Sequence, residues 1–113
     1  MIVGNYDSGN AAVIFNNGTG AFPSADTYSV GSRPSAAAAG DVNHDNQSDF
    51  AIANQLDGTL SLLINAGNGS FLNQTIYNAD SSSQSMAMID VNKDGHRDLV
   101  VANLNTNNVG IFF

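Results

Sequence analysis

The apolar residues of this chain fall in short runs, and none carries on with the three-to-four-residue spacing of an amphipathic helix. Residues 49–54 (DFAIAN) and 98–103 (DLVVAN) are apolar at successive positions, which predicts strands covered on both faces. Residues 10–16 (NAAVIFN), 59–65 (TLSLLIN) and 108–113 (NVGIFF) predict a second set of strands. The first two of these run into a glycine turn, NNGTGAF or NAGNGSF, whose Gly and Asn residues accept a positive φ. Polar residues and Pro23 mark residues 22–30 (FPSADTYSV) and their counterpart 71–79 (FLNQTIYNA) as exposed outer strands. Residues 34–40 (PSAAAAG) and 83–89 (SQSMAMI) are small and apolar, suiting an innermost strand crowded near an axis.

These elements recur at a fixed distance. GDVNHDNQSDFAIAN returns as IDVNKDGHRDLVVAN, which places Asp41 over Asp90 at an offset of 49 residues without a gap. At the same offset Asn5 falls on Asn54 and Asn103, Phe22 on Phe71, and Tyr28 on Tyr77. Four antiparallel strands in a unit of this length predict an all-β fold of β-propeller blades. A plain β-sandwich would leave the ungapped repeat as an accident, and a helical solenoid lacks its periodicity. The expected division is a partial blade at 1–33, a full blade at 34–82 and a partial blade at 83–113. The chain then runs through strands two to four, one to four and one to three of successive blades. Open sheet edges of that kind invite pairing, so a homo-oligomer closing by strand exchange or edge pairing is expected.

Charge sharpens the picture. The chain holds ten Asp and no Glu against Arg33, Lys93 and Arg97, a composition that points away from helices. Six of the ten Asp lie within residues 41–49 and 90–98, so the acidity reads as metal sites rather than as a coat or tail. Three scattered basic residues cannot neutralise a run of phosphates, which argues against nucleic acid as a partner. No apolar stretch approaches the length of a membrane span, and no leader pattern opens the chain. With no Cys, disulfides and thiolate chemistry do not arise. Four Asn-x-Ser/Thr sequons, at Asn17, Asn46, Asn68 and Asn73, are few enough for turn chemistry to account for the Asn content.

The two acidic segments read Asp41-Val-Asn43-His-Asp45-Asn46-Gln47-Ser-Asp49 and Asp90-Val-Asn92-Lys-Asp94-Gly95-His96-Arg-Asp98. Side-chain oxygens at positions one, three, five and nine, with the main-chain carbonyl of position seven, make a set of hard oxygen donors suited to calcium. Magnesium demands a tighter octahedron and keeps more of its water. Position six needs a sharp turn, which Gly95 supplies and Asn46 approximates. An EF-hand is excluded because position twelve is Ile52 or Val101 in place of a bidentate Glu, and because both loops lead into strands. The competing structural explanation is an Asx-rich hairpin that binds nothing; two loops at one phase of a repeat count against it.

A DxNxDxxxD loop followed by an apolar strand and then a glycine turn ending in Phe resembles the FG-GAP repeat of integrin α-subunits and the related VCBS-type repeats. The resemblance covers the whole chain, although NGTGAF and AGNGSF are variants of the family's FG and GAP elements. It implies propeller blades with calcium in the hairpin between the first and second strands, and an extracellular or cell-surface setting. It also implies two calcium sites, one held by Asp41, Asn43, Asp45, Gln47 and Asp49, the other by Asp90, Asn92, Asp94, His96 and Asp98. Gln47 and His96 would contribute main-chain oxygens.

Three functions are compatible with these features. A non-catalytic scaffold that binds a protein partner, as adhesion modules do, is the favoured expectation. A calcium-dependent lectin would need a sugar platform, for which Tyr6, Tyr28 and Tyr77 are the only candidates. A fragment of a polysaccharide-degrading enzyme has the least support, because both histidines, His44 and His96, lie inside the metal loops and no base stands elsewhere.

Overall fold

The computed structural model describes residues 1–113 as ten strands with no helix. They are β1 (Ile2–Asn5), β2 (Asn10–Ile14), β3 (Ala25–Ser29), β4 (Pro34–Gly40), β5 (Asp49–Asn54), β6 (Thr59–Leu63), β7 (Thr75–Asn78), β8 (Ser83–Ile89), β9 (Asp98–Asn103) and β10 (Asn108–Phe112). Three antiparallel sheets result, in the orders β1-β2-β3, β4-β5-β6-β7 and β8-β9-β10. Each strand pairs with its neighbour in sequence, which is the arrangement short connections favour. The sheets lie side by side and do not close into a barrel or ring.

The 49-residue period is visible in the local geometry. A register shift interrupts the first strand pair between Pro34 and Ala36, and again between Ser83 and Ser85. Asn5, Asn54 and Asn103 each end a strand and donate a side-chain amide to the residue five positions on, Asn10, Thr59 or Asn108. That bond clamps the turn to the next strand. The turn's last residue has a positive φ in all three copies, at Gly9, Gly58 and Asn107. Asn is the residue that stands in for Gly there most cheaply, because its short polar side chain tolerates the left-handed region.

Two apolar clusters join the sheets. The first packs Ala11 and Val13 of β2 against Phe50, Ile52 and Leu63, with Phe15, Tyr28 and Phe71 partly buried around them. The second joins Ala53 and Leu60 to Val101, flanked by Met86, Leu99 and Phe112. β5 is therefore covered on both faces and buried along its whole length, as its continuous apolar run predicts. The matching strand β9 departs from that expectation. Leu99 and Val100 are half-buried and Ala102 is exposed, because only one sheet packs against it.

The small inner strands do pack closely. β4 lies against both β1 and β8, and the Ser35 hydroxyl donates to the Ser83 carbonyl at 2.6 Å. The outer strands are shorter than residues 22–30 and 71–79 suggest. Asn16 and Asn65 accept from the amides of Gly18 and Gly67, and these Asx turns take the chain out of the ladder before the outer strand begins. Pro23 cannot donate to a ladder, and Phe71 keeps only an isolated bridge to Asn65.

Candidate metal centres

Both acidic loops connect the first strand of a sheet to the second, β4 to β5 and β8 to β9. Each is folded by its own polar side chains. In the first, Asp41 Oδ2 accepts from the Asn46 amide at 2.9 Å and Asn43 Oδ1 from the Asp45 amide at 3.1 Å. Asp45 then accepts from the Gln47 amide through Oδ1 and from the Asn43 side chain through Oδ2. The second loop repeats each bond: Gly95 to Asp90, Asp94 to Asn92, His96 to Asp94, and the Asn92 side chain to Asp94.

Such Asx turns hold the residue between them in an unusual conformation. Position six has a positive φ in both loops, 63° at Asn46 and 92° at Gly95, as the turn requires. Position four does too, at His44 (63°) and Lys93 (62°), which the residue types do not announce. Asn43, Asp45 and Gln47 are exposed, as are Asn92, Asp94 and His96, while Asp41 and Asp90 are half-buried at the strand ends.

Position nine is different. Asp49 is fully buried, and its two oxygens accept from the Val42 amide at 3.0 Å and the Asn65 amide at 2.8 Å. One carboxylate thus ties the loop to the glycine turn that carries Phe71. Asp98 is buried likewise and accepts from the Val91 amide at 2.8 Å. Asn65 also donates its side chain to the Ser48 carbonyl, so it belongs to the site although it lies beyond the loop in sequence. Its phase, shared with Asn16, was the signal that could have found it.

The Asp94 carboxyl is held below its ordinary range, chiefly by the main-chain bond from His96 and then by the Asn92 side chain. It therefore remains ionised into mild acid and keeps its charge as a cation donor. The loops face each other across the second and third sheets, where the His44 and His96 rings meet edge to face at 4.5 Å.

The donor set fits a hard cation on one further ground. Asp41 Oδ1 is buried and accepts no hydrogen bond within the protein, an arrangement that costs free energy unless a water or a cation satisfies the oxygen; the equivalent Asp90 Oδ1 accepts from the Asp94 amide at 3.2 Å. No three acidic or histidine side chains form a ready-made cage. Each loop offers instead a mixture of carboxylate, amide and main-chain oxygens, the donors that calcium takes. Asp49 can join them with both hydrogen bonds intact, since a carboxylate has about four acceptor positions.

Residues 41–101, more than half of the chain, match the FG-GAP-like repeat family. The chain belongs to that family. The matched span begins at the first residue of the first acidic loop and takes in the whole of the second. No curated protein and no solved structure matches the chain. Within an FG-GAP-like repeat, then, the loops are recurring elements rather than isolated acidic clusters, and four of their internal hydrogen bonds recur at the same positions.

Proposed function

We propose that the chain is a calcium-braced β-propeller repeat module that acts as a non-catalytic binding scaffold. The observation that carries this reading is the buried Asp41 oxygen without a donor, inside a loop whose hydrogen bonds recur 49 residues later. Residues 1–33, 34–82 and 83–113 are one partial, one complete and one partial blade, with the small strands β4 and β8 nearest the axis. Asp41, Asn43, Asp45, Asp49 and the Gln47 carbonyl hold one calcium ion; Asp90, Asn92, Asp94, Asp98 and the His96 carbonyl hold another. Calcium neutralises three neighbouring carboxylates in each loop and so stabilises the loop that sets the angle between strands. An extracellular or cell-surface setting, where free calcium is plentiful, suits sites of this exposed kind.

Catalysis is not part of this reading, because both histidines are committed to the loops. A sugar platform has less support than a protein-binding one. The Tyr28 ring meets Phe71 edge to face at 5.3 Å and Arg33 lies over the Tyr6 ring at 5.5 Å, so two of the three tyrosines are engaged. The module also associates with copies of itself through the apolar surface that its outer sheets leave exposed.

Calcium titration by calorimetry tests the reading. Two sites are expected, with Asp45→Ala and Asp94→Ala each removing one. A ligand at 100 times its Kd stabilises the fold by about 2.7 kcal/mol, so the melting midpoint should rise with calcium and fall with chelator. Identical midpoints would remove calcium from the account.

A further inference from the structure

We propose that His44 and His96 together hold one late first-row divalent transition ion, with zinc as its representative, and that this ion ties the first acidic loop to the second. The site is separate from the oxygen donors of either loop. It goes beyond the calcium reading and does not depend on it.

The observation that carries the proposal is the meeting of the two rings. Their centroids lie 4.5 Å apart with the planes at 73°. Two imidazoles on one tetrahedral ion, with Zn–N bonds of about 2.0–2.1 Å, have ring centroids about 5 Å apart. The pair is thus close to the spacing that a shared ion needs, and both side chains are exposed and free to turn toward it. Their nitrogens are also at liberty. His96 enters the hydrogen bonding only through its main-chain amide, which donates to Asp94 at 2.8 Å, and neither imidazole makes a hydrogen bond within the protein.

The backbone holds both rings in place. His44 stands at position four of the first loop, where the bond from the Asp45 amide to Asn43 Oδ1 spans it and its φ is 63°. His96 stands at position seven of the second loop, anchored by its amide to Asp94. The loops also touch at their bases. A Cβ on Gly40, which leads into the first loop, would stand 3.0 Å from the Met88 sulfur and 3.2 Å from Cδ of Arg97, the neighbour of His96. Gly40 therefore lets the second loop lie against the first. Anchors fixed before an ion arrives reduce the ordering that binding must impose.

The chemistry of the pair differs from that of the loops. Calcium takes oxygen donors, whereas imidazole suits zinc, copper and nickel, so the two kinds of ion sort to different places. No third acidic or histidine side chain completes a cage, so water fills the remaining positions and the site is an open one. The Asp94 carboxyl, held low chiefly by the His96 main-chain bond and the Asn92 side chain, is drawn down further by both imidazoles, which places a negative charge near the ion. The pair is not a product of the repeat. Position four is Lys93 in the second loop and position seven is Gln47 in the first, so this chain's own side chains create it.

Zinc titration of the 113-residue chain in saturating calcium, followed by calorimetry, tests this. The chain has two His and no Cys, so no other imidazole or thiolate competes. One zinc ion per chain is expected. His44→Asn, which accepts the left-handed backbone, and His96→Gln should each weaken it by at least about ten-fold, since even the loss of a ligand's hydrogen-bond partner costs about 10–100-fold. Zinc should raise the melting midpoint of the wild type and leave that of His44→Asn unmoved. Absence of a one-to-one zinc site, or either variant keeping zinc at wild-type affinity as two independent rings would, overturns the proposal. So does zinc that excess calcium displaces, which would place it in the oxygen loops. Calcium titration without zinc keeps the two ideas apart: two calcium sites and no zinc site sink this proposal alone, while a zinc site and no calcium site sink the calcium reading alone.

Discussion

Residues 34–82 and 83–113 carry matching strands in matching order, yet β5 and β6 are largely buried whereas β9 and β10 are half open. Phe50 is 8% exposed, whereas its counterpart Leu99 is half-buried. The joins between sheets differ in the same way: Tyr28, at the first, is half-buried, whereas its counterpart Tyr77, at the second, is 46% exposed. The second and third sheets diverge around an apolar cleft of about 590 Å³ lined by Tyr77, Leu99, Phe112 and Phe113. In the join before it, Phe71 occupies the equivalent position between Tyr28 and Phe50. Burial in a repeat of this kind belongs to the contact between neighbours rather than to the unit itself.

The core gives the widest test of that difference. Phe50→Ala should cost about 3–5 kcal/mol, as for a buried ring, while Leu99→Ala beside the open cleft should cost about 1 kcal/mol. Chemical denaturation measures both, and equal losses would break the comparison. The acids at position nine should differ next. Asp49→Asn leaves one of two buried amides facing a donor and should cost about 2 kcal/mol; Asp98→Asn, with one such amide, should cost about 1 kcal/mol. Hydrogen exchange gives a second readout, since Asp49→Asn should release the amide of either Val42 or Asn65 and Asp98→Asn neither.

A smaller difference is expected at the tyrosines. Tyr28→Ala removes an edge-to-face contact with Phe71 and should lower stability by about 1 kcal/mol, whereas Tyr77→Ala should stay within about 0.5 kcal/mol of the wild type. Smallest of all is the contrast between the metal loops. Lys93 and Arg97 sit within the second loop and no Lys or Arg within the first, so the second should bind calcium more weakly. Lys93→Ala should tighten it by about three-fold at low salt and by less as salt screens the charge. Calorimetry at two ionic strengths checks the sign.

Much of this architecture was legible before any coordinates. All ten strands were placed in order, because a gapless 49-residue period lets each copy correct the reading of the others. The ends of the outer strands were not. They depend on whether Asn16 and Asn65 bond the ladder or their own downstream amides, and residue type allows either. The loops were legible as oxygen-rich turns, and the turn at Asn46 and Gly95 lies where the spacing requires it. The second hydrogen bond that Asp49 accepts was not, because its donor, Asn65, is brought in by strand pairing sixteen residues away.

By itself the sequence determined the period, the strand order and the residues of each acidic loop, since these follow from local spacing and side-chain chemistry. Only the tertiary structure decided which copies of a residue are covered. Phe22 and Phe71 sit in turns closed by the same hydrogen bonds, and one is exposed while the other closes a core. No local rule separates them, because apolar burial requires a second surface and the neighbouring sheet alone supplies it.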